Sequence, residues 1–284
     1  MKRILFGPWV GEFGYEVGCW QAKLRAYVKR YYLDDYIIVC GPKNHDVFYE
    51  FADEYASLHD DYVNCGDVAV GPIIEWSGFN FDTSRHFIEG IVFDRWVTPD
   101  FLWFGYQLGG NVREYKEHDY QFKFRKFIAD KSIKLPFNSE RYICIFPRYS
   151  ILDERHWKQD NWQQFSDIAK SEFGVDVVVV GSNYRNKDVF KINNTIDIKD
   201  YFGIVPHLYL QIKVINDSKW CLHSSSGSTF LSLFSASKMG FIGYQYDYDL
   251  LSDMNIFDVD LVNIGGFDSS VENAIDALRR VLNE

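Results

Sequence analysis

From its first residues the chain alternates short apolar runs with longer stretches of helical spacing. Arg3-Ile4-Leu5-Phe6-Gly7 is an apolar run closed by Gly7-Pro8, which predicts a buried first strand. Across residues 15–32 the apolar positions Val17, Trp20, Leu24, Tyr27 and Val28 fall near helical spacing, with basic residues on the other side. Tyr36-Ile37-Ile38-Val39-Cys40, closed by Gly41-Pro42, predicts a second strand. Residues 47–58 read as a helix and Tyr62-Val63-Asn64-Cys65 as a third strand. This βαβαβ order predicts a parallel sheet with crossover helices. Residues 71–110 are dominated by Gly, Pro and aromatics and predict no regular element.

A second set of alternations follows. Residues 119–134 read as a basic helix ending at Leu135-Pro136, where the Pro marks a domain boundary. Strands are expected at 142–146, 175–180, 219–222 and 239–242. Helices are expected at 161–173, 208–215, 229–236 and 269–282, the first with Trp162, Phe165, Ile168 and Ala169 on one face. The pattern predicts an α/β protein with two Rossmann-like lobes built on parallel sheets, residues 1–136 and 137–284.

Composition narrows the partners. The 284 residues include 24 Phe, 19 Tyr and 8 Trp, enough apolar area for large cores and for stacking on rings. The net charge of −10 gives no long-range attraction to nucleic acid or an anionic membrane, so a polyanionic ligand needs a local basic patch. Five cysteines without zinc-knuckle or CxxC spacing suit a reducing compartment. The start, MKRILFGPW, is too short for a signal h-region and no later run reaches membrane-spanning length, which predicts a cytoplasmic protein.

Three segments carry candidate chemistry. In the first, a predicted strand runs through His223 into Ser224, Ser225, Ser226, Gly227, Ser228 and Thr229 and then into a helix. Such a turn offers backbone N–H groups and hydroxyls to a diphosphate, beyond what a helix cap needs. Phe146-Pro147-Arg148-Tyr149-Ser150 and Arg155-His156-Trp157-Lys158 form the second, a loop leaving the first strand of the C-terminal half. Arg148, Arg155 and Lys158 there make a local anion site, joined as donor contacts by Ser150 and by Ser182 at the end of the next strand. The third, Gly7-Pro8-Trp9-Val10-Gly11-Glu12-Phe13-Gly14-Tyr15-Glu16, sets two carboxylates at a glycine-rich turn. Glu16 or Glu12 could accept a proton from an acceptor hydroxyl there, beside Trp9, Gly11, Phe13, Gly14 and Tyr15. His45-Asp46 could touch an acceptor, but a helix-start role for Asp46 is the preferred reading. The DxD steps at 247–249 and 258–260 read as a surface loop or strand face, and no HxxxH spacing supports zinc.

Together these segments resemble the GT-B glycosyltransferases, in particular the heptosyltransferase-like group and related viral and bacterial transferases. Gly14-Tyr15-Glu16 stands where that group carries a Gly-Asp or Gly-x-Glu base. Pro147-Arg148-Tyr149-Ser150 and Arg155-His156-Trp157-Lys158 match its second-lobe loops, and the 224–229 turn its late Ser/Thr-Gly turn, without that turn's Asp and His. The resemblance implies a GT-B-like fold with an interlobe cleft. It also implies a hexosyl- or pentosyltransferase, inverting and metal-independent, with a nucleotide diphosphate sugar as co-substrate and no other cofactor. The acceptor stays open among glycan, lipid-linked and nucleic-acid hydroxyls. Rival readings are an enzyme glycosylating hydroxymethylated DNA bases (with residues 122–134 as contact strip), a GT-B-fold sugar-nucleotide epimerase, and a non-catalytic sugar-nucleotide or glycan-binding module.

Overall fold

A computed structural model describes residues 1–9, 13–58, 85–99, 123–148, 156–181, 191–202 and 207–283. These residues form two compact units, Met1–Arg125 and Lys126–Glu284. The division falls before Leu135-Pro136 because the chain joins the second unit earlier. The Phe127 N–H donates to the Phe234 carbonyl, and the Asn216 side chain binds the Phe127 carbonyl and the Ala129 N–H.

The first unit carries a parallel sheet in the order β3-β2-β1-β4: β1 (Arg3–Phe6), β2 (Tyr36–Gly41), β3 (Glu54–Ser57) and β4 (Arg95–Val97). Between β1 and β2 the chain forms a short turn, α1 (Phe13–Tyr15), a wider π turn at Glu16–Trp20, and α2 (Gln21–Tyr31). One helix was expected there; the π turn is the difference, and all five of its residues are buried. The helix expected at 47–58 is corrected. His45–Phe48 is a 3-10 turn and β3 lies inside the span. Aromatic residues crowd this segment and gain little from a helix. The strand instead bonds its backbone to β2, with the Asp53 carboxylate accepting from the Ile37 N–H at 2.7 Å. The strand expected at 62–65 lies outside the described residues.

In the second unit six parallel strands run β10-β9-β8-β5-β6-β7: β5 (Tyr142–Phe146), β6 (Asp176–Val179), β7 (Ile196–Asp197), β8 (Cys221–Ser224), β9 (Lys238–Ile242) and β10 (Asp260–Gly265). Read from β7, this is the doubly wound order 3-2-1-4-5-6. The described helices are α3 (Gln159–Phe173), α4 (His207–Asp217), α5 (Ser228–Leu233), α6 (Gln245–Asp253) and α7 (Val271–Asn283). One hydrophobic core joins Ile143, Ile145, Val177 and Leu222 of the sheet to Trp162 and Phe165 of α3 and to Ala274 and Leu278 of α7. Gly174 closes α3 with φ of 61°, the left-handed cap that glycine adopts without a Cβ clash. The expected helix at 119–134 is also corrected where it is described. Residues 123–130 are irregular, their backbone bonded to Ala22, Phe234 and Asn216 instead of to one another.

Among the described residues no helix is long and apolar enough to cross a membrane.

Candidate functional site

In an open parallel sheet, ligands bind beyond the carboxyl ends of the strands where the strand order reverses. In the second unit that point lies between β5 and β8. The residues leaving those two strands are Pro147-Arg148 and the serine turn, which the register Phe146↔His223 sets side by side. The Arg148 N–H donates to Ser224 Oγ at 3.2 Å, and Arg148 Nη1 donates to the Ser225 carbonyl at 2.6 Å. The guanidinium is thereby held against the turn. Within the turn the Ser226 and Ser228 hydroxyls are 2.6 Å apart, and the Ser226 N–H donates to Thr229 Oγ1 at 3.2 Å. Ser225 Oγ donates to Asp247 Oδ2 at 2.7 Å. Asp247 belongs to the first of the two DxD steps, which lies on α6 and not on a surface loop or strand face.

His223 is fully buried, stacked on Phe146 with ring centroids 3.6 Å apart, and its Nε2 lies 2.6 Å from Ser232 Oγ. Burial holds its pKa well below the ordinary imidazole value, so it is neutral and carries no charge toward an anion. Lys158 is exposed at the start of α3, with no hydrogen bond or ion pair to the turn among the described residues. Thus the structure joins Arg148 to the serine turn. Ser150, Arg155 and Ser182 lie outside the described residues, as do Gly11 and Glu12 and the side chain of Tyr15.

In the first unit the chain leaves β1 through Gly7, Pro8 and Trp9. Gly7 has φ of 111°, and a Cβ there would collide with the Cys40 carbonyl oxygen, so only glycine fits the turn. Trp9 is fully buried and stacked on Trp20, 5.5 Å between centroids at 17°. Phe13 is half-buried and Gly14 buried. Glu16 is fully buried at the head of the π turn, the kind of widened turn frequent at functional sites. Both of its oxygens are engaged. His45 Nδ1 lies 2.6 Å from Oε2, and the Tyr49 hydroxyl donates to Oε1 at 2.7 Å. Burial, and then the Glu16 carboxylate, hold the Tyr49 phenol well above its ordinary pKa, so it remains a donor. His45 and Tyr49 sit on and just beyond the 3-10 turn that follows β2, on the carboxyl side of the sheet, as Glu16 does after β1. Tyr49 belongs to no motif in the sequence. Its only signal was its place four residues after His45.

No protein-family model matches the chain, and no curated protein matches it in sequence. Solved structures match it in fold. The ADP-heptose LPS heptosyltransferase II of E. coli superposes with a TM-score of 0.60 at 13% identity, over 99% of this chain and 98% of that one. A glycosyl transferase family 9 protein of Veillonella parvula gives 0.56 at 11%, over 99% and 97%. The E. coli heptosyltransferase WaaC, solved with ADP-2-deoxy-2-fluoro heptose, gives 0.50 at 9%, over 98% and 99%. At these identities the likeness is one of fold. The chain has the α/β, GT-B-like fold of the heptosyltransferases, with two parallel sheets.

Proposed function

We propose that this protein is a glycosyltransferase that moves a sugar from a nucleotide diphosphate sugar to an acceptor hydroxyl, by inverting, metal-independent displacement. The observation that carries the reading is Arg148, pinned by two hydrogen bonds to the serine turn at the switch point of the second unit. A planar cation fixed beside hydroxyls and backbone N–H groups suits a diphosphate, whose negative charge grows as the sugar departs. The fold supports the same reading, since among its neighbours WaaC was solved with a nucleotide sugar analogue. Lys158, at the start of α3, adds positive charge on the same side of the sheet, with Arg155, Ser150 and Ser182 as further donor contacts. Glu16 anchors the acceptor side together with Phe13 and Gly14, with Glu12 as the alternative carboxylate.

Calorimetric titration with nucleoside diphosphates tests the donor site. Arg148→Ala is expected to weaken binding about 10- to 100-fold, the worth of a charge-assisted hydrogen bond. An unchanged affinity removes Arg148 from the site. Transfer is expected to survive EDTA, and complete dependence on an added divalent ion would overturn the metal-free displacement.

A further inference from the structure

Glu16 poses a chemical problem for the transfer reaction. Its side chain is 1% exposed and both oxygens already accept hydrogen bonds, so no acceptor hydroxyl reaches it without displacing a partner. The same geometry supplies a way out. A carboxylate accepts, so His45 Nδ1 carries the proton and donates it to Oε2. That assigns the tautomer and leaves the ring's lone pair on Nε2. Nε2 has no hydrogen-bond partner among the described residues. The His45 side chain keeps 11% exposure against 1% for Glu16, so of the pair the imidazole is the one more open to a substrate. Phe13 and Phe48 stand edge-on to the ring at 5.7 Å each, at 77° and 80°, and confine it.

We propose that His45 is the base of the reaction, its Nε2 taking the acceptor proton, and that Glu16 is a positioning residue acting through the Nδ1 hydrogen bond. This rests on the glycosyl-transfer reading above. The acceptor O–H bond breaks and its proton passes to Nε2. The freed electron pair bonds the donor's anomeric carbon, whose bond to the diphosphate oxygen breaks, and that pair leaves on the nucleoside diphosphate. The resulting imidazolium is stabilised by the Glu16 carboxylate across 2.6 Å, and Tyr49 holds that carboxylate from its other side. The proton then returns to solvent.

The test compares wild type, His45→Ala and Glu16→Gln on the nucleoside diphosphate sugar and acceptor that wild type turns over, with nucleoside diphosphate affinity measured beside them. His45→Ala is expected to lower kcat by about 10²- to 10⁴-fold with donor affinity unchanged, and added imidazole to restore part of the rate. Glu16→Gln is expected to lower kcat less, without a change in donor KM, and to move the low-field Nδ1 proton resonance of His45 upfield. A purely structural loss would instead lower the folded fraction, and with it kcat and the bound nucleoside diphosphate together. Should His45→Ala fold poorly, diethyl pyrocarbonate on folded wild type replaces it. Transfer is then expected to fall in step with carbethoxylation of His45 and to return with hydroxylamine. Wild-type kcat in His45→Ala, or transfer that survives complete modification of His45, overturns the assignment. Wild type that neither binds nor turns over any nucleotide sugar overturns the transfer reading itself, a failure visible before any variant is made.

Discussion

Glu16 is a carboxylate withdrawn from water near the start of a helix, and a charge so placed persists only when donors meet it. His45 and Tyr49 are those donors. Tyr49→Phe leaves Oε1 without its partner and is expected to cost about 1–3 kcal/mol of stability, read as a lower midpoint of thermal unfolding. A variant as stable as wild type would mean that the carboxylate draws little from the phenol. The Gly-x-Glu step singled out Glu16 from the sequence, but its partners lie 29 and 33 residues further on. Local spacing carries no information about that pairing. The parallel register of β1 with β2, Phe6↔Val39 at its end, is what brings the two turns together. Arg148 and the serine turn were each visible as local patterns, and the doubly wound strand order explains why they meet.

Elements with one clear period were legible. α7 buries Val271, Ala274, Ile275, Leu278 and Val281, a helical stripe that is plain in the sequence, and β1, β2 and β5 read as continuous apolar runs. The two helices that did not form share a cause. At 47–58 and 123–130 tertiary hydrogen bonds took the backbone from the helix that the local pattern favoured. Arg25 of α2 is central to both. It donates to the Phe48 carbonyl at 2.8 Å and the Lys123 carbonyl at 2.9 Å, and holds Glu50 through Nε and Nη2. Arg125 adds a second cation to Glu50 at 2.9 Å. Burial works to raise the Glu50 carboxyl pKa, but Arg25 and then Arg125 outweigh it and hold it below the ordinary value. A depressed carboxyl contributes stability above its unfolded pKa and loses it as the pH falls through the folded one. The first unit is therefore expected to lose stability on acidification below the unfolded glutamate range, and Glu50→Gln to flatten that loss in melts run across acidic pH. Arg25→Met is expected to cost about 2 kcal/mol, less than the 3–5 of a fully buried pair because Glu50 is 38% exposed.

At the scale of the whole molecule, two sheets with separate cores predict two separable stabilities. Leu278→Ala, in the packed face of α7, is expected to remove about 2–5 kcal/mol from the second unit. In a calorimetric scan it should lower one transition and leave the acid-sensitive one in place. A nucleoside diphosphate should raise the same transition that Leu278→Ala lowers, because a ligand stabilises the unit that binds it. A ligand that raised only the other transition would place the donor in the first unit. The stacked pair Trp9 and Trp20 offers a means of telling the units apart. Two indoles 5.5 Å apart at 17° have strongly coupled electronic transitions. Their coupling depends on the fold of the first unit alone, so a change in exciton circular dichroism would give the turn beyond β1 an optical signature of its own.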